Sequence, residues 1–135
     1  MKSLDTNVLA RFFIDDEDDE QAARQRPAAI AALSQRAMVT VTVLLEFEWL
    51  MRGFYGLSAR EIGNVFRALA GIEHLSIEDR GAVITAFDAH EHGLDFADAL
   101  HLARSARGAA FVTFDRRLAK RARSLGLTPE VELLG

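Results

Sequence analysis

Short apolar runs of strand length alternate along this chain with longer segments whose apolar side chains recur every three or four residues. Residues 2–4 read as a strand and lead into a helix through Phe12. An acidic stretch, residues 15–20, opens an alanine-rich helix that Pro27 is expected to bend or divide. Residues 37–41 read as a buried strand, followed by a strongly apolar helix over residues 44–55 that Gly56 stops. Ser58 and Glu61 have the spacing of a capping box. Behind them Ile62, Val65, Phe66 and Leu69 form the stripe of an amphipathic helix. Residues 74–77 predict another strand, and residues 78–92 a helix closed by Gly93. Asp95 begins a further helix, residues 110–114 a strand, residues 116–125 the last long helix, and residues 131–134 a candidate edge strand.

Strand-helix alternation of this kind predicts an α/β fold, with a short central parallel sheet flanked by helices on both faces. No internal repeat, low-complexity linker or boundary interrupts the 135 residues, so residues 1–135 read as one domain. Half of the residues are hydrophobic and 27% charged, the balance of a packed core rather than a disordered segment. The absence of cysteine excludes disulfides, thiolate zinc sites and cysteine nucleophiles. No apolar run reaches the ~20 residues of a membrane span, and the N-terminus does not read as a signal peptide, so a cytoplasmic protein is expected.

The chemistry lies in the carboxylates. Sites in open parallel sheets form beyond the carboxyl ends of the strands. Asp5 ends the first strand in LDTNVL, Asp115 ends a late strand in FVTFDRRL, and Asp98 sits in the first turn of the helix in GLDFADALHLA. Each has an ordinary structural reading as a helix cap or a complement to the helix dipole. Gathered at one sheet end, they would repel strongly. Two like charges ~5 Å apart cost roughly 3 kcal/mol at an effective dielectric of 20. Such a cluster calls for hard divalent cations, which take oxygen ligands and can drive phosphodiester hydrolysis by water.

The apolar helix carries two further candidates, Glu46 and Glu48. They point about 160° apart on a helix, so only one can join the cluster; the other is expected at solvent or an interface. Asp95 either shares a face with Asp98 or caps its helix. Residues 15–20 lack the glycine and the glutamate of a calcium loop. His90, His92 and His101 are poorly spaced for zinc, and His101 suits a contact behind Asp98 better than a metal ligand. The apolar helix is hydrophobic almost all round, more than one core face needs.

The order of LDTNVL, LLEFEW, GLDFADALHLA and TFDRRLAK resembles PIN-domain ribonucleases, specifically the VapC toxins of bacterial toxin–antitoxin pairs, over nearly the whole chain. The resemblance implies an endoribonuclease site of Asp5, Glu46, Asp98 and Asp115, favouring Glu46 over Glu48. Asp5 and Asp98 would be the principal ligands of Mg²⁺ or Mn²⁺, and Thr6 and Asn7 would support Asp5 by hydrogen bonds. It also implies a homodimer and a cognate antitoxin that blocks the site.

A net charge of −4 runs against an RNA substrate, although Arg116, Arg117, Lys120, Arg121 and Arg123 crowd one segment that reads as a solvated helix face or a phosphate-contacting patch. Two other readings compete. An aspartate-nucleophile phosphatase of the haloacid dehalogenase type would need an acid two residues after Asp5, where Asn7 stands. A catalytically inert PIN-like binding module would retain the fold alone.

Overall fold

Polar side chains that bond to backbone N–H groups decide where strands stop and helices start. The computed structural model describes residues 1–105 and 107–135. β1 (Lys2–Ser3) gives way at Asp5, whose Oδ1 accepts from the Thr6 N–H at 2.8 Å, and α1 (Thr6–Phe13) begins. Asp19 caps α2 (Glu20–Leu33) through the Ala22 N–H. Pro27 does not divide α2. The Ala23 carbonyl, which loses its donor there, belongs to an exposed residue, so water can take the place of the missing N–H.

β2 (Ala37–Val39) stops short of residue 41 because Thr40 accepts the Val43 N–H on its hydroxyl at 3.4 Å. α3 (Val41–Gly53) therefore starts earlier than the apolar pattern implies. It also ends before Gly56, with the Phe54 and Tyr55 N–H groups both donating to the Leu50 carbonyl. The capping box of α4 (Ala59–Ala70) is complete: Ser58 N–H donates to Glu61 at 2.9 Å, and Glu61 N–H to Ser58 Oγ at 3.1 Å. β3 (Leu75–Ile77), α5 (Arg80–Glu91), α6 (Phe96–Ala103), β4 (Phe111–Thr113), α7 (Arg116–Ser124) and β5 (Val131–Leu133) complete the chain.

The fold is α/β with parallel strands, as the alternation predicts. Two compact units compose it, residues 1–80 and 81–135. In the first, β1, β2 and β3 form a parallel sheet in that order, with Lys2 opposite Ala37 and Val39 opposite Ile77. Phe47 on α3 and Phe66 on α4 are fully buried, each contributing roughly 2–3 kcal/mol of apolar burial. The predicted stripe holds: Ile62, Phe66 and Leu69 are buried and Val65 half-buried.

In the second unit β4 and β5 pair in parallel as a separate ladder, with Phe111 opposite Val131. Residues 131–133 thus pair with β4 in a two-stranded sheet of their own. Leu102, Ala119, Ala122 and Val131 make one apolar cluster, against which Phe111 and Leu127 pack. Gly93 ends α5 at φ +95°, a backbone state that costs an L side chain strain. A Cβ there would also sit 3.2 Å from Arg121 Nη1, which donates to the His92 carbonyl at 3.2 Å. The guanidinium is the end of a flexible chain and can yield; the backbone cannot. Gly93→Ala should cost about 1–2 kcal/mol by urea unfolding, and the loss should persist in an Arg121→Ala background. Recovery in that background would place the cost in the side-chain contact instead.

Candidate active site

In the first unit, Thr6 joins two of the expected carboxylates. It is the first residue of α1 and is buried, 4% exposed. Its N–H donates to Asp5 Oδ1 and its hydroxyl donates to Glu46 Oε1. Thr6 thus bonds Asp5 through its backbone N–H and Glu46 through its hydroxyl. Asn7 is exposed on the first turn.

α3 separates Glu46 and Glu48 as its periodicity requires. Glu46 is on the exposed face, while Glu48 is buried at 3%. Solvent or an interface was the expectation for Glu48, and burial corrects it. The physical reason is Arg52 one turn on, whose Nε and Nη2 reach the Glu48 carboxylate at 2.9 and 3.4 Å. A buried carboxylate survives when paired this way. Glu48 is thereby engaged by Arg52, and Glu46 is the acid on the exposed face of that helix. Sequence reasoning missed Glu78, whose Oε1 accepts the Val41 N–H at 2.9 Å and ties the start of α3 to the end of β3. An acid directly after a predicted strand was the only available signal.

In the second unit, Asp95 caps α6 by accepting the Asp98 N–H on Oδ2 at 3.1 Å. That settles its capping role. Asp115 caps α7 with Oδ1, which accepts from the Arg117 and Leu118 N–H groups at 2.9 and 3.0 Å, leaving Oδ2 outside the cap. Asp98 is half-buried, and its carboxyl is held above the usual aspartate range. Burial is the largest cause, followed by the negative charges of Asp95 and Asp115, while His101 opposes them. Asp95, Asp98 and Asp115 thus share one electrostatic neighbourhood. Of the other histidines, His90 is buried and His92 lies exposed beside Asp88. Arg116, Arg117 and Lys120 are exposed on α7, whereas Arg121 holds the end of α5 through the His92 carbonyl.

The family profile described as "PIN domain" matches residues 3–124, most of the chain and both units. The chain belongs to the PIN-domain family. PIN domains are usually nucleases, which supports a hydrolytic activity in general. No curated protein and no solved structure matches this PIN domain. Among the described residues no helix is long and apolar enough to cross a membrane.

Among the described residues no three His, Asp or Glu side chains are placed to hold a metal ion together. In the first unit Asp5 and Glu46 are bridged by Thr6, and in the second Asp98 is crowded by Asp95 and Asp115. The ionisable members of both groups are carboxylates, and a nearby cation would relieve the crowding of negative charge at Asp98. Carboxylate oxygens are the donors that hard divalent cations take.

The raised Asp98 pKa has a definite pH signature. In the window between the unfolded value, about 3.9, and the higher folded value, the folded chain binds more protons than the unfolded one. Stability attributable to Asp98 therefore falls as pH rises through that window. Relative to Asp98→Asn, the wild-type chain should lose unfolding free energy from below pH 4 toward neutrality, measured by urea unfolding without added metal. A difference that stays flat or grows with pH contradicts the crowding.

Proposed function

We propose that this PIN domain is a divalent-metal-dependent endoribonuclease and acts as the toxin of a toxin–antitoxin pair. The observation that carries the reading is Asp98, a half-buried carboxylate kept among like charges within a family of nucleases. Crowding of that kind costs stability and is retained where it serves a charge to come. The order of the four acidic motifs, similar to that of VapC toxins, supports the toxin role.

Asp5 and Asp98 are assigned as the principal ligands of Mg²⁺ or Mn²⁺, with Glu46 and Asp115 completing the set. Bound there, the ion would supply charge neutralisation and a more acidic water for attack on phosphorus. The chain's own part is positioning. Asp5 and Asp115 are fixed by the helix starts that they cap, and Thr6 orients Glu46 through its hydroxyl. The glutamate so held accepts and holds a proton from the attacking water. Arg116, Arg117 and Lys120 attract the phosphates of the substrate.

Two partner surfaces follow from the same reading, one for a second copy and one for the antitoxin. The exposed Trp49 and Phe54, at 60% and 70%, support an interface at the end of α3. Trp49→Glu should convert a dimer to monomer by light scattering; an unchanged mass removes α3 from the dimer interface.

For the chemistry, Asp5→Asn and Asp98→Asn should each lower RNA cleavage at least about a hundredfold, since ion contacts are worth several kcal/mol and each 1.4 kcal/mol is tenfold. Both variants should remain folded, and EDTA should abolish wild-type cleavage. Full activity in either variant, or in EDTA, overturns the assignment.

A further inference from the structure

The second unit carries an exposed apolar face that its core does not use. Residues alternate along β4, so Phe111 packs on the cluster of Leu102, Ala119 and Val131 while Val112 and Phe114 point the other way. Phe114 is 77% exposed, Val112 49% and Leu134 40%. The Leu134 N–H donates to the Thr113 carbonyl at 2.8 Å, and a Cβ on Gly135 would stand 3.9 Å from the Phe114 ring, so the segment after β5 runs alongside. Phe114 directly precedes Asp115, and directly after that cap come Arg116 and Arg117, with Lys120 one turn on. All three are exposed, and none makes an ion pair among the described residues. α7 turns Leu118, Ala119 and Ala122 inward, so its charges are committed to the outer face.

An aromatic ring held in water beside uncompensated cations matches a single-stranded nucleic acid. Its bases offer π-faces to stack and its phosphates offer charge, whereas a duplex hides its bases. A protein partner would need acidic residues around an apolar anchor, and would leave no reason for the ring to adjoin the carboxylate assigned to the chemistry. We infer that Phe114 is a stacking platform for a base of single-stranded RNA, with Arg116, Arg117 and Lys120 binding the adjoining phosphates. The inference rests on the ribonuclease reading and specifies its substrate as an unpaired strand. Phe114 is a binding residue that selects for unpaired RNA; the bond-breaking chemistry belongs to the carboxylates.

The test measures binding and cleavage separately. Fluorescence anisotropy of a labelled single-stranded RNA of about ten nucleotides, a usual span for such platforms, is recorded in EDTA with the full chain. Phe114→Ala should weaken binding about tenfold with an unchanged salt slope and an unchanged melting temperature, while Phe114→Trp restores it. Arg116→Ala with Arg117→Ala should lower the slope of log K against log salt by about 1.4, the value for two phosphates on a single strand. A duplex of the same sequence should bind without sensitivity to Phe114.

Wild-type affinity in Phe114→Ala, or equal sensitivity on duplex, overturns the inference. So does a change in oligomeric mass in place of RNA affinity, which would make the face a protein interface. Cleavage with Mg²⁺ or Mn²⁺ separates the two claims. RNA cut equally well by wild type and Phe114→Ala defeats the platform and leaves the nuclease reading standing. RNA bound through Phe114 but cut with neither ion defeats the nuclease reading and leaves the platform.

Discussion

Every helix leaves N–H groups at its start without intrahelical partners, and this chain meets that requirement largely with carboxylates. Asp5, Asp19, Asp95 and Asp115 each cap a helix, and three of those are among the residues that sequence reasoning weighed for the site. A cap of this kind contributes about 1 kcal/mol. It also does something a free surface carboxylate cannot: it fixes the position of a negative charge that its neighbours repel. The helix N-terminus supplies partial positive charge where the acids crowd. Asp95, Asp98 and Asp115 can therefore share a neighbourhood that would otherwise push them apart.

Capping and metal binding are consequently not rival explanations. At Asp115 both backbone donors fall on Oδ1, and Oδ2 stays available. The sequence could only weigh the two roles against each other, residue by residue. A carboxylate has two oxygens and about four lone-pair sites, so one group can hold the backbone with one oxygen and face a cation with the other. The same economy appears at Thr6, whose N–H serves one acid and whose hydroxyl serves another.

What was legible in the sequence follows the range of the interaction. The Ser58–Glu61 box and the Ile62 stripe depend on residues three and four apart and are found where the pattern puts them. The opposite faces of Glu46 and Glu48 were equally legible. Which of the two would be buried was not, because that depends on the packing around α3 rather than on spacing along the helix. The start of α3 was misread for a similar reason. Val41 and Val43 look like strand residues, and their helical state is set by Thr40 and by Glu78, the latter 37 residues away. The Thr6–Glu46 bond spans 40 residues, and no local pattern announces it. Pro27 does not divide α2 because the missing N–H matters little on a face open to water.

The net charge of −4 looked unfavourable for an RNA substrate, and the structure shows why the sum is the wrong quantity. At physiological salt, exposed charges are largely screened beyond about 8 Å. A phosphate therefore responds to the side chains around it rather than to the total. Much of the negative total is spent on helix starts, on the Arg52 pair of Glu48, and on the exposed acids before α2. α7 presents Arg116, Arg117 and Lys120 outward because its apolar residues are all turned to the core. Local placement of charge by helix periodicity, rather than composition, determines where a polyanion can approach this chain.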